Sequence, residues 1–154
     1  MEFQEVLKKR HCLRKFDPES KVPDELIEKL IEAGHSGPSA GNLHPEDFII
    51  IHDQETKEKL AEAALGQMFV AEAPVVIVVI ADVEKTASCY GERGRNLYVI
   101  QDAAAATENI FLTATDLGLG MCWVGAFDEK QVQKILQLKP EQRPLAILPV
   151  GYKQ

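Results

Sequence analysis

The spacing of apolar residues changes along this chain, and each change marks an element. Phe3, Val6 and Leu7 fall at helical intervals, so residues 3–9 open the chain as a short helix. Leu26, Ile27, Leu30 and Ile31 form the stripe of a second helix, which Pro23 opens in its first turn and Gly34 and Gly37 end. Phe48-Ile49-Ile50-Ile51, inside residues 47–52, predicts a buried strand. Residues 54–65, rich in Glu, Lys and Ala, predict a polar-faced helix. Residues 75–81 are apolar and largely β-branched, as a central strand covered on both faces requires. Residues 96–117 contain neither Gly nor Pro and predict a long helix, stopped by Gly118 and Gly120. Residues 121–125 read as a short strand. Asp128 then caps a helix with Val132, Ile135 and Leu136 inward and Pro140 beyond its end, and residues 145–150 form the last strand.

The long helix bears on assembly. Leu97, Ile100, Ala104, Phe111 and Ala114 lie along one side, and Val99, Ala103, Ala106, Ile110 and Leu117 along another. A helix apolar on two sides must be covered on two sides. One domain covers one side; a second copy covers the other, with the alanines at 103–106 admitting close backbone approach. This predicts an obligate homodimer with the helix near its two-fold axis. The alternative is a central helix wrapped wholly by its own domain.

Composition narrows the classes. With 154 residues, 45% apolar and 27% charged, the chain suits one soluble globular domain spanning 1–154. A net charge of -7 argues against general binding to nucleic acid or to an anionic membrane. No basic-then-apolar leader opens the sequence, and its most apolar run is too short to span a bilayer. Cys12, Cys89 and Cys122 are far apart without a Cys-x-x-Cys pair, so neither a disulfide framework nor a zinc site is indicated, and a reducing cytoplasm is the simplest location.

Two segments carry candidate chemistry. Pro38-Ser39-Ala40-Gly41-Asn42-Leu43-His44-Pro45 is a loop stiffened by two prolines, in which Ser39 and Asn42 offer donors and acceptors to something flat and polar-edged. It also reads as a plain turn between helix and strand. Arg10-His11-Cys12-Leu13-Arg14-Lys15-Phe16 concentrates cations in an acidic protein. Arg10 and Arg14 could grip one phosphate monoester, with His11 and Cys12 between them. The other reading is a solvated patch paired with Asp17 or Glu19.

In combination these segments resemble the nitroreductase-like flavoprotein family. Residues 10–16 resemble its Arg-Arg-Ser-x-Arg-x-Phe opening, and Pro38 to Pro45 its second motif. Asp102-Ala103-Ala104-Ala105-Ala106 with Asn109 resembles its dimer helix, Leu117 to Gly125 its third motif, and Leu148-Pro149-Val150-Gly151-Tyr152 its last strand. The match runs in order from Val6 to Tyr152. The resemblance implies an α+β fold: a three-layer α/β/α sandwich with a central mixed, mainly antiparallel sheet, as a homodimer with FMN at the subunit interface. It implies phosphate and ribityl contacts from Arg10, His11, Cys12 and Arg14, with Pro38, Ser39 and Asn42 reaching the flavin from the partner chain. Val124, Gly125 and Ala126 would line the ring, and Gln67 would touch its pyrimidine edge. The implied activity is hydride transfer from NAD(P)H through FMN to a small organic acceptor such as a nitroaromatic or quinone, with no side chain singled out as catalytic.

The sequence departs from that pattern at Cys12, where Ser is usual, and at Glu46, which replaces an aromatic and alters the expected pocket wall. Many relatives carry a basic tail after the Gly-Tyr pair; here Lys153 would take its part. Gly118-x-Gly120 is no dinucleotide fingerprint, because Trp123 stands where the third glycine belongs and a helix precedes it. His35, His44 and His52 propose no metal site, and Cys122 should be inert in its apolar strand. Other readings are a specialised flavin enzyme of the same fold (a dehalogenase, a flavin-cleaving oxygenase, a deazaflavin-linked enzyme), a non-catalytic flavin-binding redox sensor, and a structural dimer without cofactor.

Overall fold

The computed structural model describes residues 1–154. The elements run α1 (Phe3–Lys9), α2 (Asp24–His35), β1 (Glu46–Ile51), α3 (Gln54–Ala63), α4 (Phe69–Glu72), β2 (Val75–Asp82), α5 (Val83–Arg93), α6 (Val99–Asp116), β3 (Gly120–Met121), α7 (Glu129–Ile135) and β4 (Gln142–Gly151). The strands form one sheet in the order β1-β2-β4-β3, and all three ladders are antiparallel. The parallel contribution is a single bridge from Cys12 to Met121.

Alternation along β2 builds two cores. Val75, Ile77 and Val79 face Ile27 and Leu30 of α2 and Ala103, Ile110, Phe111 and Ala114 of α6. Val76, Val78 and Ile80 face Leu60 of α3, Val70 of α4 and Val132 of α7. Because period two sends neighbouring side chains to opposite faces, a strand apolar at every position holds helices on both sides. The result is the expected three-layer sandwich. Aspartates start three helices: Asp53 accepts the Thr56 amide, Asp82 that of Lys85 and Asp128 that of Gln131. No helix is long and apolar enough to cross a membrane.

Several expectations need correction. β1 is an edge strand rather than a buried one, and Ile50 is 39% exposed. A run of isoleucines looks the same at the edge of a sheet as at its centre. Gly34 lies within the last turn of α2, where a Cβ would sit 2.5 Å from Cζ of Phe48, so it admits β1 close to the helix. Leu65 lies outside α3, exposed and with φ 62°. The long helix starts at Val99, after a π-helical turn at Gly94–Tyr98, and α5 before it has no counterpart in the sequence reading. In the stripe of Leu97, Ile100, Ala104, Phe111 and Ala114, Phe111 and Ala114 are buried within this chain, whereas Ile100 is exposed. Phe3 and Leu7 of α1 are also exposed, 63% and 42%.

Candidate functional site

The chain leaves α1 at Arg10 and runs extended beside β3, with the Leu13 amide donating to the Met121 carbonyl at 2.9 Å. Leu13 is buried, while His11 and Arg14 reach solvent and Arg10 is half-buried. Each arginine rests on an aromatic ring. Cζ of Arg10 is 5.0 Å from the centre of Phe111 on α6, and Cζ of Arg14 is 5.9 Å from that of Phe69 on α4. Neither guanidinium has a carboxylate partner, whereas Lys9, Lys29, Lys59, Arg95 and Arg143 are all paired. Asp17, a partner the sequence offers, accepts the Ser20 hydroxyl at 2.6 Å and the Glu19 amide at 3.0 Å, and these bonds hold its carboxyl below the usual range. Two uncommitted arginines on one extended segment suit an oxyanion ligand.

Around Arg14 the structure gathers other predicted residues. Cys12 packs against both cores, and the Cys122 thiol is pushed up to about 12, first by burial and then by the Cys12 thiol beside it. Gln67 Nε2 donates to the Ala126 carbonyl at 3.3 Å and to that of Ala64 at 2.8 Å. Val124 is buried and bridges to Ile147, but Gly125 and Ala126 beyond it are exposed, and their amides donate no hydrogen bond. A Cβ on Gly125 would meet nothing within 4 Å. Phe69 beneath Arg14 is steadied from α3: Lys57 Nζ donates to the Ala73 carbonyl at 2.7 Å and Gln54 Nε2 to that of Ala71 at 3.3 Å, closing the end of α4. His11 and Lys153 line a cleft of ≈ 330 Å³ on the Gly120 side, together with Lys9.

The loop at 38–45 is a second construction. Pro38 and Asn42 are exposed and Ser39 is half-buried. Gly41, Asn42 and His44 have φ of 58°, 55° and 48°, so three of four consecutive positions lie in the left-handed region. Contacts from several elements hold this shape. The His44 amide donates to Ser39 Oγ at 2.9 Å, His44 Nε2 lies 2.8 Å from Asn42 Oδ1, and His44 Nδ1 lies 3.1 Å from Glu46 Oε1. Lys85 of α5 donates to the His44 carbonyl at 3.2 Å, and Asp102 of α6 accepts the Ala40 amide at 3.1 Å. Glu46 therefore turns inward, 5% exposed, toward His44. Sequence reasoning missed three members of this construction: Asp102, Lys85 and Tyr90, whose hydroxyl stands over Gly41.

The two halves stand at opposite corners of the sheet. Glu46, just after the loop, pairs with Ala81, which pairs with Arg143. Met121, beside the arginine segment, pairs with Val150, which pairs with Val75. From Val75 to Ala81 the strand covers about 20 Å, and β1 and β3 lie about 14 Å apart across the sheet. Helix α6 gives a second measure. Asp102 holds the loop and Phe111 supports Arg10, and these positions are about 13 Å apart along the axis. Within one chain, Ser39 and Asn42 are thus remote from Arg10 and Arg14.

The family model described as Nitroreductase family matches residues 7–73 and 66–152. The chain belongs to the nitroreductase family. It is 32% identical over 158 residues to a Methanothermobacter thermautotrophicus protein named provisionally as an NADH dehydrogenase/NAD(P)H nitroreductase, covering 99% of this chain and 78% of that one. Over 111 residues it is 42% identical to a provisionally named nitroreductase of Methanocaldococcus jannaschii, covering 71% of this chain and 54% of that one. Among solved structures, the FMN-dependent nitroreductase of Clostridium difficile R20291 superposes with a TM-score of 0.84 at 29% identity, covering 97% of this chain and 86% of that one.

Proposed function

We propose that this nitroreductase-family chain is an NAD(P)H-dependent oxidoreductase with FMN as cofactor, and that it passes hydride by turns from NAD(P)H to a small organic acceptor such as a nitroaromatic or quinone. The observation that carries the site reading is the pair of unpaired guanidiniums, Arg10 and Arg14, in a chain of net charge -7. A phosphate monoester supplies the two negative charges such a pair lacks. His11 and Cys12 lie between them for the ribityl chain, and Lys153 adds a cation at the neighbouring cleft. Bound FMN supplies the hydride chemistry, and the chain supplies position and electrostatics. The free amides of Gly125 and Ala126 are fixed donors for a ring edge that gains negative charge, and Gln67 stands beside them. Water is the simplest proton source, because no titratable side chain stands among these donors.

A second copy of the chain completes the site. Ser39 and Asn42 offer polar atoms at a corner remote from the arginines, so one flavin meets both sets only if Pro38, Ser39 and Asn42 come from the other protomer. Exposed Phe3, Leu7 and Ile100 provide apolar surface for such a dimer. Three free thiols suit a reducing cytoplasm.

The test is a visible spectrum of the purified protein mixed with FMN and passed through a desalting column. Flavin bands should travel with the protein and bleach when NADH or NADPH is added without oxygen. Protein that emerges colourless overturns the reading.

A further inference from the structure

We infer that Asp102 is a positioning residue for flavin binding, acting through the Ala40 amide to hold the loop that carries Ser39 and Asn42. The inference rests on the flavin site proposed above and assigns a role within it to a side chain that touches no ligand.

The argument starts from what the loop lacks. Gly41, Asn42 and His44 all have positive φ, which is costly for the two residues with side chains. Such a shape persists only where surrounding contacts over-determine it. Ser39 and Asn42 are both tied to His44, and His44 is tied to the buried Glu46 of β1, which anchors the far end of the loop but not its start at Ala40. Lys85 reaches the His44 carbonyl from a flexible, exposed side chain. Asp102 differs. It is 7% exposed on the most extensively packed helix, and its Oδ1 accepts the Ala40 amide 62 positions away at 3.1 Å. Ala40 follows Ser39 directly and opens the turn that contains Asn42. Its amide has no other partner.

Burying a carboxylate at this depth is unfavourable, and Oδ2 of Asp102 has no partner at all. An apolar residue would suit the helix core better. The charge is explained if the bond to Ala40 fixes where Ser39 and Asn42 stand.

The bond can be cut from either end. Asp102→Leu removes the acceptor. Ala40→Pro removes the donor at the first position of the turn, where proline fits, after a Ser39 already extended at φ -142°, ψ 155°. FMN affinity is read by flavin fluorescence titration. Each single variant should bind FMN about tenfold more weakly, and the double variant no more weakly than the worse single one. Asp102→Asn, which keeps an oxygen acceptor, should bind as the wild type does. Losses that multiply in the double variant overturn the inference, as does unchanged affinity in Ala40→Pro, a loop substitution that reads the same bond even if Asp102→Leu fails to fold. Wild-type protein that takes up no FMN overturns the flavin reading itself; wild-type uptake with multiplying losses overturns this inference alone.

Discussion

The Arg14 guanidinium lies over the Phe69 ring with 5.9 Å between Cζ and the ring centre, and it has no carboxylate within reach. The ring restricts a long, exposed side chain without neutralising it, so the cation stays available to a ligand. Arg14→Ala should weaken FMN binding tenfold to a hundredfold, the range of one charge-assisted contact, ~1.4–2.8 kcal/mol. Phe69→Leu keeps an apolar residue beside the core and loses only the ring, so it should cost about threefold. Fluorescence titration with FMN checks both, and equal affinity in Arg14→Ala and wild type would remove that residue from the site.

Gly41 sits under Tyr90. A Cβ built on it falls 2.6 Å from the tyrosine hydroxyl, at φ 58°. Gly41→Ala therefore incurs two penalties, about 1 kcal/mol for a left-handed alanine and a further crowding cost. Tyr90→Phe removes the crowding oxygen and leaves a ring carbon at 3.3 Å as the nearest atom. Denaturant unfolding should show Gly41→Ala less destabilising in the Tyr90→Phe background than alone, but still destabilising. If the cost is the same in both backgrounds, the tyrosine does not crowd this position.

Asp102 sets a pH dependence. Burial pushes its carboxyl above the ordinary range and Glu46 adds to that, while the Ala40 amide and His44 pull the other way. A folded-state value above the unfolded one means the native protein holds this proton more tightly, so stability falls as pH rises between the two values. Asp102→Asn is neutral throughout. Without flavin, its melting temperature should exceed that of the wild type most at neutral pH, and the gap should close in acid below the unfolded value. A gap that stays constant or widens in acid would show that the wild-type carboxyl is not destabilised by burial.

What the sequence made legible follows from the range of the interactions. β2 was readable because both of its faces are apolar, and α7 because Asp128 caps it locally. α5 was not, since it buries only Thr86 and Ala87 and bends at Gly91, leaving no stripe to detect. The edge position of β1 depends on sheet order, which no local pattern encodes. In the site, Arg10 and Arg14 stood out by charge and spacing. The Asp102–Ala40 bond joins residues 62 positions apart, and Glu46 was read by its motif neighbours although its partner is His44, two residues away. Close packing was hidden in the same way. A Cβ on Gly120 would lie 2.1 Å from Cδ2 of Leu13, which explains that glycine by the arginine segment crossing it rather than by the helix it follows.

If the loop and the arginines meet one flavin from two chains, as proposed, flavin binding and dimer formation are one equilibrium. Ile100 is exposed near the start of α6, on the helix the sequence placed at a two-fold axis, and it touches neither arginine. A charge there should oppose burial against a second copy without disturbing either core. Ile100→Glu is therefore expected to sediment as a single chain, to keep its fold by circular dichroism, and to lose at least tenfold in FMN affinity. The wild type should sediment as two chains, and its apparent FMN affinity should fall as the protein is diluted below its dimer dissociation constant. A monomeric Ile100→Glu protein that binds FMN as tightly as the wild type would mean that one chain suffices, and the loop at 38–45 would then have no part in the flavin site.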